Sequence, residues 1–407
     1  MRSLAAAVSR GLGRRHIVVA ALVIGAVVLY AWIDLTYSLP WNPDRPSPMT
    51  FPAAPLAGAC DEVERLPENE TTKPPNNDPI PNIVHYIWLL ANPTVLTLDF
   101  RAFLSVYSSH LFFRPDKIYF HTDAKPEVWE RAKSSGSAWT RRVLNIPNLE
   151  PNFIENPRLT SKGVDIDTFG AKSDFIRADA LRKFGGIYLD IDAIPIRDVA
   201  PLRHAGFANV VGGAVALAPK HTGYVNTGVW LARPHSALAE IFYEAMDAFY
   251  NGVWAISVQI LTDLAYRLHA IPGEVLIVNP RAFAPFSWEL ADQELLLKPY
   301  GKAPDGVSGG ALLSGDAAPK ELKNTCKDAL AWLAERELGS PKESWEADFS
   351  ATYVLHAFDD EGNKIPGWDG KITLKYILAR QSNYARAVYP AVEHAIRANI
   401  IPVEETV

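Results

Sequence analysis

Between Phe169 and Asp192 two structural patterns meet with no linker. Phe169 to Phe184 has helical spacing, Gly185-Gly186 stops it, and Ile187-Tyr188-Leu189 begins an apolar run at once. Glycine adopts positive φ without steric penalty, so the pair can turn a helix directly into a strand. The body of the chain repeats the alternation. Strands are predicted at Ile83–Leu89, Lys117–Thr122, Arg142–Ile146, Ile187–Ile191, Val210–Ala218 and Tyr224–Ala232. Helices are predicted at Leu98–Ser109, Pro126–Ser134, Phe169–Phe184, Pro234–Tyr250, Ser257–Leu268, Pro319–Leu338 and Leu374–Ala398. The fold class is therefore α/β, a mostly parallel sheet with helices on both faces. Ligands of such sheets bind beyond the carboxyl ends of the strands.

Composition limits what surrounds that body. Apolar residues make up 48% of the 407, enough for a sizeable core. Forty basic against 46 acidic residues give a net charge of −6, which argues against an overall basic nucleic-acid binder. Two cysteines exclude a disulfide-dense scaffold and a Cys₄ zinc site. Ile17 to Ile33 carries no charged side chain, and as a helix it spans about 26 Å, close to a thin bilayer. Arg2, Arg10, Arg14 and Arg15 precede it, so a single N-terminal transmembrane helix is expected with its amino end cytoplasmic. The competing reading is a cleaved signal peptide, for which Thr36-Tyr37-Ser38 is a poor cleavage site. Eleven of the 31 prolines lie between Ser38 and Asn82, which reads as a semi-rigid stalk. The stalk contains the acceptor sequon Asn69-Glu70-Thr71 and Cys60, which an oxidising compartment would permit to pair with Cys326. The expected organisation is a cytoplasmic tail over 1–16, an anchor over 17–35, a stalk over 36–80 and one catalytic domain over 81–407. That places the domain in the lumen of the endoplasmic reticulum or Golgi.

The densest chemical signal follows the glycine pair. Asp174 and Arg177 are three apart on a helix and share a face. If the strand continues to Ile191, Asp190 and Asp192 point to one side, while Ile187, Leu189 and Ile191 point to the other. Two carboxylates on one side of a strand end are costly unless something neutralises them. A divalent cation such as Mn²⁺ or Mg²⁺, shared with a diphosphate, would do so.

Ser173-Asp174-x-x-Arg177 followed by Gly185-Gly186-Ile187-Tyr188-Leu189-Asp190-x-Asp192 resembles the DXD sugar-binding glycosyltransferases of the GT-A, Rossmann-like fold. That group contains fungal outer-chain α-1,6-mannosyltransferases, inositol-phosphoceramide mannosyltransferases and Golgi α-1,4-glycosyltransferases. Pro81 to Trp88 is similar to the family's opening strand, and the strong resemblance runs over about residues 81–235. It implies a UDP- or GDP-sugar donor, a divalent metal, retention at the anomeric carbon, and a glycan, glycolipid or glycoprotein acceptor. Carried over by position, Asp192 ligates the metal, and Asp190 reaches it through water or holds the ribose. Asp174 and Arg177 hold hydroxyls of the donor sugar, and Trp88 lies near the base. Tyr188 either touches the donor or packs behind it.

The C-terminal half adds two candidates. Tyr353-Val354-Leu355-His356 is an apolar run ending in a histidine, and in related enzymes a late histidine completes the metal site. Asn226-Thr227-Gly228 resembles the Asn-x-Gly of sister families, where it approaches the sugar. The chain departs from the family at Ala255-Ile256-Ser257-Val258-Gln259, where a Thr-Gly-Pro would be expected. Two other readings remain. One is a haloacid dehalogenase-like phosphatase with Asp190 as nucleophile and Asp192 as acid; the other is a catalytically inactive, membrane-tethered carbohydrate-binding protein.

Overall fold

The computed structural model describes residues 79–213, 223–253, 255–300, 345–349, 351–358 and 365–402. The expected tail and anchor, nearly all of the stalk with Asn69 and Cys60, and also Cys326 and the helix predicted near 319–338 lie outside them. No helix among the described residues is long and apolar enough to cross a membrane.

Seven strands form one mixed sheet in the order β3-β2-β1-β4-β7-β6-β8. They are β1 (Ile83–Ile87), β2 (Lys117–Thr122), β3 (Leu149–Phe153), β4 (Gly186–Leu189), β6 (Asn209–Gly213), β7 (Val225–Ala232) and β8 (Val275–Val278). β1, β2, β3 and β4 pair in parallel, and β6 pairs in parallel with β8. β7 runs against both β4 and β6, so it alone breaks the parallel direction. A separate two-stranded ribbon joins β5 (Ala193–Pro195) to β9 (Val354–His356), antiparallel.

Alternation along the strands sorts the core into two clusters. Ile187, Leu189, Val229 and Leu231 pack on one face with α1 (Phe100–Phe113), α3 (Ala138–Leu144) and α10 (Asn383–Arg397). Tyr188, Trp230 and Val211 pack on the other with α4 (Phe169–Phe184), α6 (Ala237–Phe249) and α7 (Ile256–Leu268). Each such side chain, fully buried, contributes roughly 1.5–3 kcal/mol relative to exposure.

Helix starts follow their caps. Asp99 accepts from Ala102 N at α1, Ser137 from Thr140 N at α3, and Thr168 from Ala171 N at α4. Pro126 opens α2 (Pro126–Ser135) in the first turn, where a missing N–H costs nothing. α4 stops at Gly185. The next residue, Gly186, has φ +106°, and a Cβ there would lie 2.4 Å from the Ile83 carbonyl oxygen. The chain turns from helix to strand hard against β1, where no side chain fits.

Three expectations are corrected. Residues 142–146 are not a strand: Ser137 caps a helix through Leu144, and the third strand follows at Leu149–Phe153. Pro151 is tolerated there because β3 is the sheet edge. The strand predicted to reach Ile191 ends at Leu189. The single helix predicted over Leu374–Ala398 is two, α9 (Leu374–Ala379) and α10, broken at Arg380 with φ 51° and restarted by Ser382, which accepts from Ala385 N. The remaining helices are the short α5 (Ala200–Arg203) and α8 (Leu290–Leu297).

Candidate metal and donor site

The site is built where β4 ends. After Leu189 the chain makes a tight turn in which Ala193 N–H donates to the Asp190 carbonyl at 2.9 Å. This turn, rather than a continuing strand, brings the two aspartates together. Asp190 N–H donates to the Gly228 carbonyl of β7 at 2.8 Å, tying the turn to the neighbouring strand. The next three residues form β5, whose pairing with β9 sets Ala193 opposite His356. Ala357 N–H donates to the Asp192 carbonyl at 3.0 Å. A histidine far along the chain is thereby delivered to the aspartates by backbone pairing.

One donor atom each from Asp190, Asp192 and His356 lie within 4.8 Å of one another. His356 Nε2 is 3.3 Å from Asp192 Oδ1 and 3.8 Å from Asp190 Oδ2. The carboxylates are 27% and 26% exposed and the imidazole 5%, so the cluster is rooted in the protein but open on its acidic side. Burial works against a charge on His356, yet Asp192 and then Asp190 outweigh it and raise its pKa. The field that favours a proton on Nε2 would favour a divalent cation there more strongly. Two carboxylate oxygens and one imidazole nitrogen could hold a divalent cation. The imidazole stacks on Phe358 with centroids 4.0 Å apart, which fixes its plane.

Gly228 makes the approach possible. A Cβ there would meet His356 Cε1 at 2.4 Å, Asp190 Oδ2 at 2.6 Å and Asn226 Oδ1 at 2.8 Å. Asn226 Oδ1 accepts from Gly228 N–H at 2.7 Å, so Asn226 belongs to the same cluster.

Behind Asp190 stands a buried charged layer. Arg177 Nη2 is 3.2 Å from both Asp174 Oδ1 and Asp190 Oδ1, and Nη1 donates to the Thr227 carbonyl at 2.6 Å. Its guanidinium carbon lies 4.3 Å from the centroid of the Tyr188 ring, and the Tyr188 hydroxyl donates to Asp190 Oδ1 at 2.5 Å. Burial disfavours the Arg177 charge, but the surrounding acids, Asp190 foremost, more than compensate and its pKa is raised. Burial also lifts Asp174 to about 6, although Arg177 and the Ser257 hydroxyl pull it down. Asp174, Arg177 and Tyr188 are 1%, 4% and 2% exposed, so Arg177 and Tyr188 hold Asp190, and Asp174 holds Arg177, from inside the protein rather than lining open solvent.

Seven of the eight residues singled out in the sequence thus meet in one cluster. Trp88 does not join it by any hydrogen bond or ring contact among the described residues. It continues β1 at the same end of the sheet, its N–H donating to the His121 carbonyl at 2.9 Å, and it packs against the core. Sequence reasoning passed over Phe358, which carries no motif, and marked Thr227 only as the middle of Asn226-Thr227-Gly228, not for its carbonyl. It placed Ser257 at a helix start and in a departure from a pattern, but not as the hydroxyl that bonds Asp174.

Comparison with known proteins points to the same class of chemistry. Residues 105–208 match the family model described as a glycosyltransferase sugar-binding region containing the DXD motif. The chain is 28% identical over 213 residues to Glucan organizing enzyme 1 of Cryptococcus neoformans, covering 50% of this chain and 54% of that protein. It is 26% identical over 167 residues to the uncharacterized glycosyltransferase L373 of Acanthamoeba polyphaga mimivirus, covering 41% and 55%. It therefore spans about half the length of the curated relatives it matches. Among solved structures, the PaToxG glycosyltransferase overlays at TM-score 0.35 and 17% identity, over 48% of this chain and 72% of that one, a level that says nothing of chemistry. The matched region holds Asp174, Arg177, Tyr188, Asp190 and Asp192, and the phosphatase reading of the aspartates falls with that match. Over residues 105–208 the chain is similar to the glycosyltransferases that carry a DXD sugar-binding region.

Proposed function

We propose that the protein transfers a hexose from a UDP- or GDP-sugar to a glycan, glycolipid or glycoprotein acceptor, with retention at the anomeric carbon. The observation that carries this reading is the convergence of Asp190, Asp192 and His356 on one point beside Gly228 of β7. A divalent cation held by these three would supply positive charge against the diphosphate as it leaves, an interaction stronger in the transition state than in the ground state. The protein's own groups do the rest. Arg177 and the Tyr188 hydroxyl fix Asp190 from behind, so its free oxygen keeps one direction. The bare Gly228 lets His356, Asp190 and Asn226 close together over β7, with Asn226 Oδ1 accepting from the Gly228 N–H. Asp174 holds Arg177, and through it the buried pair positions Asp190; a role at the donor's hydroxyls rests on the family resemblance. Retention and the choice of base rest on the family resemblance, and so does a role for Trp88 near the base. The apolar Ile17–Ile33 segment supports an anchor in the endoplasmic reticulum or Golgi membrane with the domain lumenal.

The test is a panel of nucleotide sugars offered to the full chain with Mn²⁺, followed by NMR of the released or transferred sugar. The expected result is turnover of one UDP- or GDP-sugar with the α or β configuration kept. Turnover of none sinks the transferase reading; an inverted product sinks retention alone.

A further inference from the structure

A second cavity lies at the other end of the sheet. Arg114 and Pro115 precede β2 and Asn148 precedes β3, so it opens at the amino ends of strands whose carboxyl ends face the DXD site. A five-residue strand separates the two ends by about 17 Å. The cavity measures about 780 Å³, within the range of small-molecule sites. Tyr107, Leu111, Pro115 and Ile146 form a buried, mainly apolar floor. Arg114, Arg141, Arg142, His110 and His394 line the rest, and none of the lining residues is acidic.

Part of that basic lining has a plain structural reason. His110 lies in the last turn of α1, Arg141 and Arg142 in that of α3, and His394 in that of α10, where cations favour the helix dipole. Three helix ends amount to roughly one and a half negative charges. Three guanidiniums stand at or beside these ends, and the cavity lining sets no acidic side chain against them. Burial, then His394, pushes the His110 pKa down, and burial, then Arg397, does the same to His394. The Tyr107 hydroxyl pairs with His394 Nδ1 at 2.7 Å, whereas the buried Nδ1 of His110 has no hydrogen-bond partner among the described residues. Arg142 is held over the Trp139 ring at 4.5 Å with its Nε on the Ile400 carbonyl, so its position is set without a ligand.

We propose that this cavity binds an organic phosphate, the phosphate on the arginine and histidine side and the carbon body on the apolar floor. Planar guanidiniums suit phosphate oxygens, and the floor selects against the bare anion. The phosphate can belong to a soluble ester or to a lipid headgroup.

The experiment titrates the full chain calorimetrically in EDTA, which removes the metal needed for diphosphate binding at the DXD site. The probes are hexyl phosphate, inorganic phosphate, and phosphatidylcholine vesicles with and without phosphatidic acid. Saturable binding of hexyl phosphate, at least about tenfold tighter than inorganic phosphate, is expected. Arg141→Glu, at the exposed rim, should weaken it roughly 10- to 100-fold. Ala138→Trp should block the cavity, and unchanged thermal melts would show that both variants fold. Vesicle binding that needs phosphatidic acid and is lost in Arg141→Glu assigns a lipid headgroup; hexyl phosphate binding without it assigns a soluble ester. No saturable binding of either organic phosphate, or equal binding by wild type and Arg141→Glu, overturns the proposal and leaves the arginines as helix-end charges.

Discussion

Gly228 and Arg177 make separable contributions to the site, and single substitutions distinguish them. Gly228→Ala puts a methyl into the side chains of His356, Asp190 and Asn226, so one of them must move. The variant is expected to fold, at a cost of roughly 1–3 kcal/mol, and to bind Mn²⁺ at least about tenfold more weakly, measured by titration against the free-ion EPR signal. Arg177 is different because it is buried between two carboxylates. Arg177→Met strands both, and should destabilise the fold by about 3–5 kcal/mol in a denaturant melt. Adding Asp174→Asn removes one stranded charge, and part of the loss should return; a double variant no more stable than the single would contradict the buried pairing. How far these residues were legible in the sequence depends on their distance along the chain. Asp174, Arg177, Asp190 and Asp192 sit within one helix–turn–strand, where local periodicity relates them. His356 could be found only by resemblance, because it arrives through the β5–β9 pairing. Gly228 was marked by its motif, but a motif does not say that three side chains close around it.

The sheet carries its own titratable element, a hydrogen-bonded row across β1, β2 and β3. Asn152 Nδ2 can only donate, so His121 Nδ1 accepts at 2.8 Å; His121 Nε2–H then donates to His85 Nδ1 at 3.0 Å. His85 Nε2–H in turn donates to the Gly185 carbonyl at 2.7 Å, at the turn that launches β4. Both rings are therefore neutral. Burial lowers His85 from 6.5 to about 4 and pushes His121 well below its usual value, with His85 adding to the effect on His121. The unfolded chain takes up protons near pH 6.5 that the folded one refuses. Stability supplied by this row is thus intact above about pH 6.5 and is lost as pH falls towards 4, by on the order of 3 kcal/mol for His85. Melts between pH 7 and 4 check this, and the slope should flatten in the His85→Gln/His121→Gln double variant. Elements themselves were legible where caps and periods agreed, as at Lys117–Thr122 and Phe169–Phe184. Asp190-Ile191-Asp192 misled because its alternation imitates a strand while the backbone turns. The break at Arg380 has no glycine or proline to announce it, and β8 was passed over although Gly273 and Pro280 bracket its apolar run.

At the scale of the whole molecule, the two faces of the sheet are filled by separate cores, and its two ends carry different chemistry. The carboxyl end of β4 presents two carboxylates and an imidazole, whereas the amino ends of β2 and β3 open beside three arginines. Trp230, fully buried against Phe242 with its Nε1–H donating to Asn209 Oδ1 at 3.0 Å, joins β7 to the helices behind the acidic end. Trp230→Ala should cost about 3–5 kcal/mol in a denaturant melt, with no variant of the opposite cavity affecting that value. The alternation that first indicated an α/β sheet accounts for this layout, since parallel strands gather all their carboxyl ends on one side. The most direct test is nucleoside diphosphate release by the full chain from its preferred nucleotide sugar, with Mn²⁺ and with EDTA, in wild type and Asp192→Asn. The site predicts release that requires the metal and falls by about 100-fold or more in the variant, while the thermal melt stays close to wild type. Release that is indifferent to EDTA, or undiminished in Asp192→Asn, would contradict it.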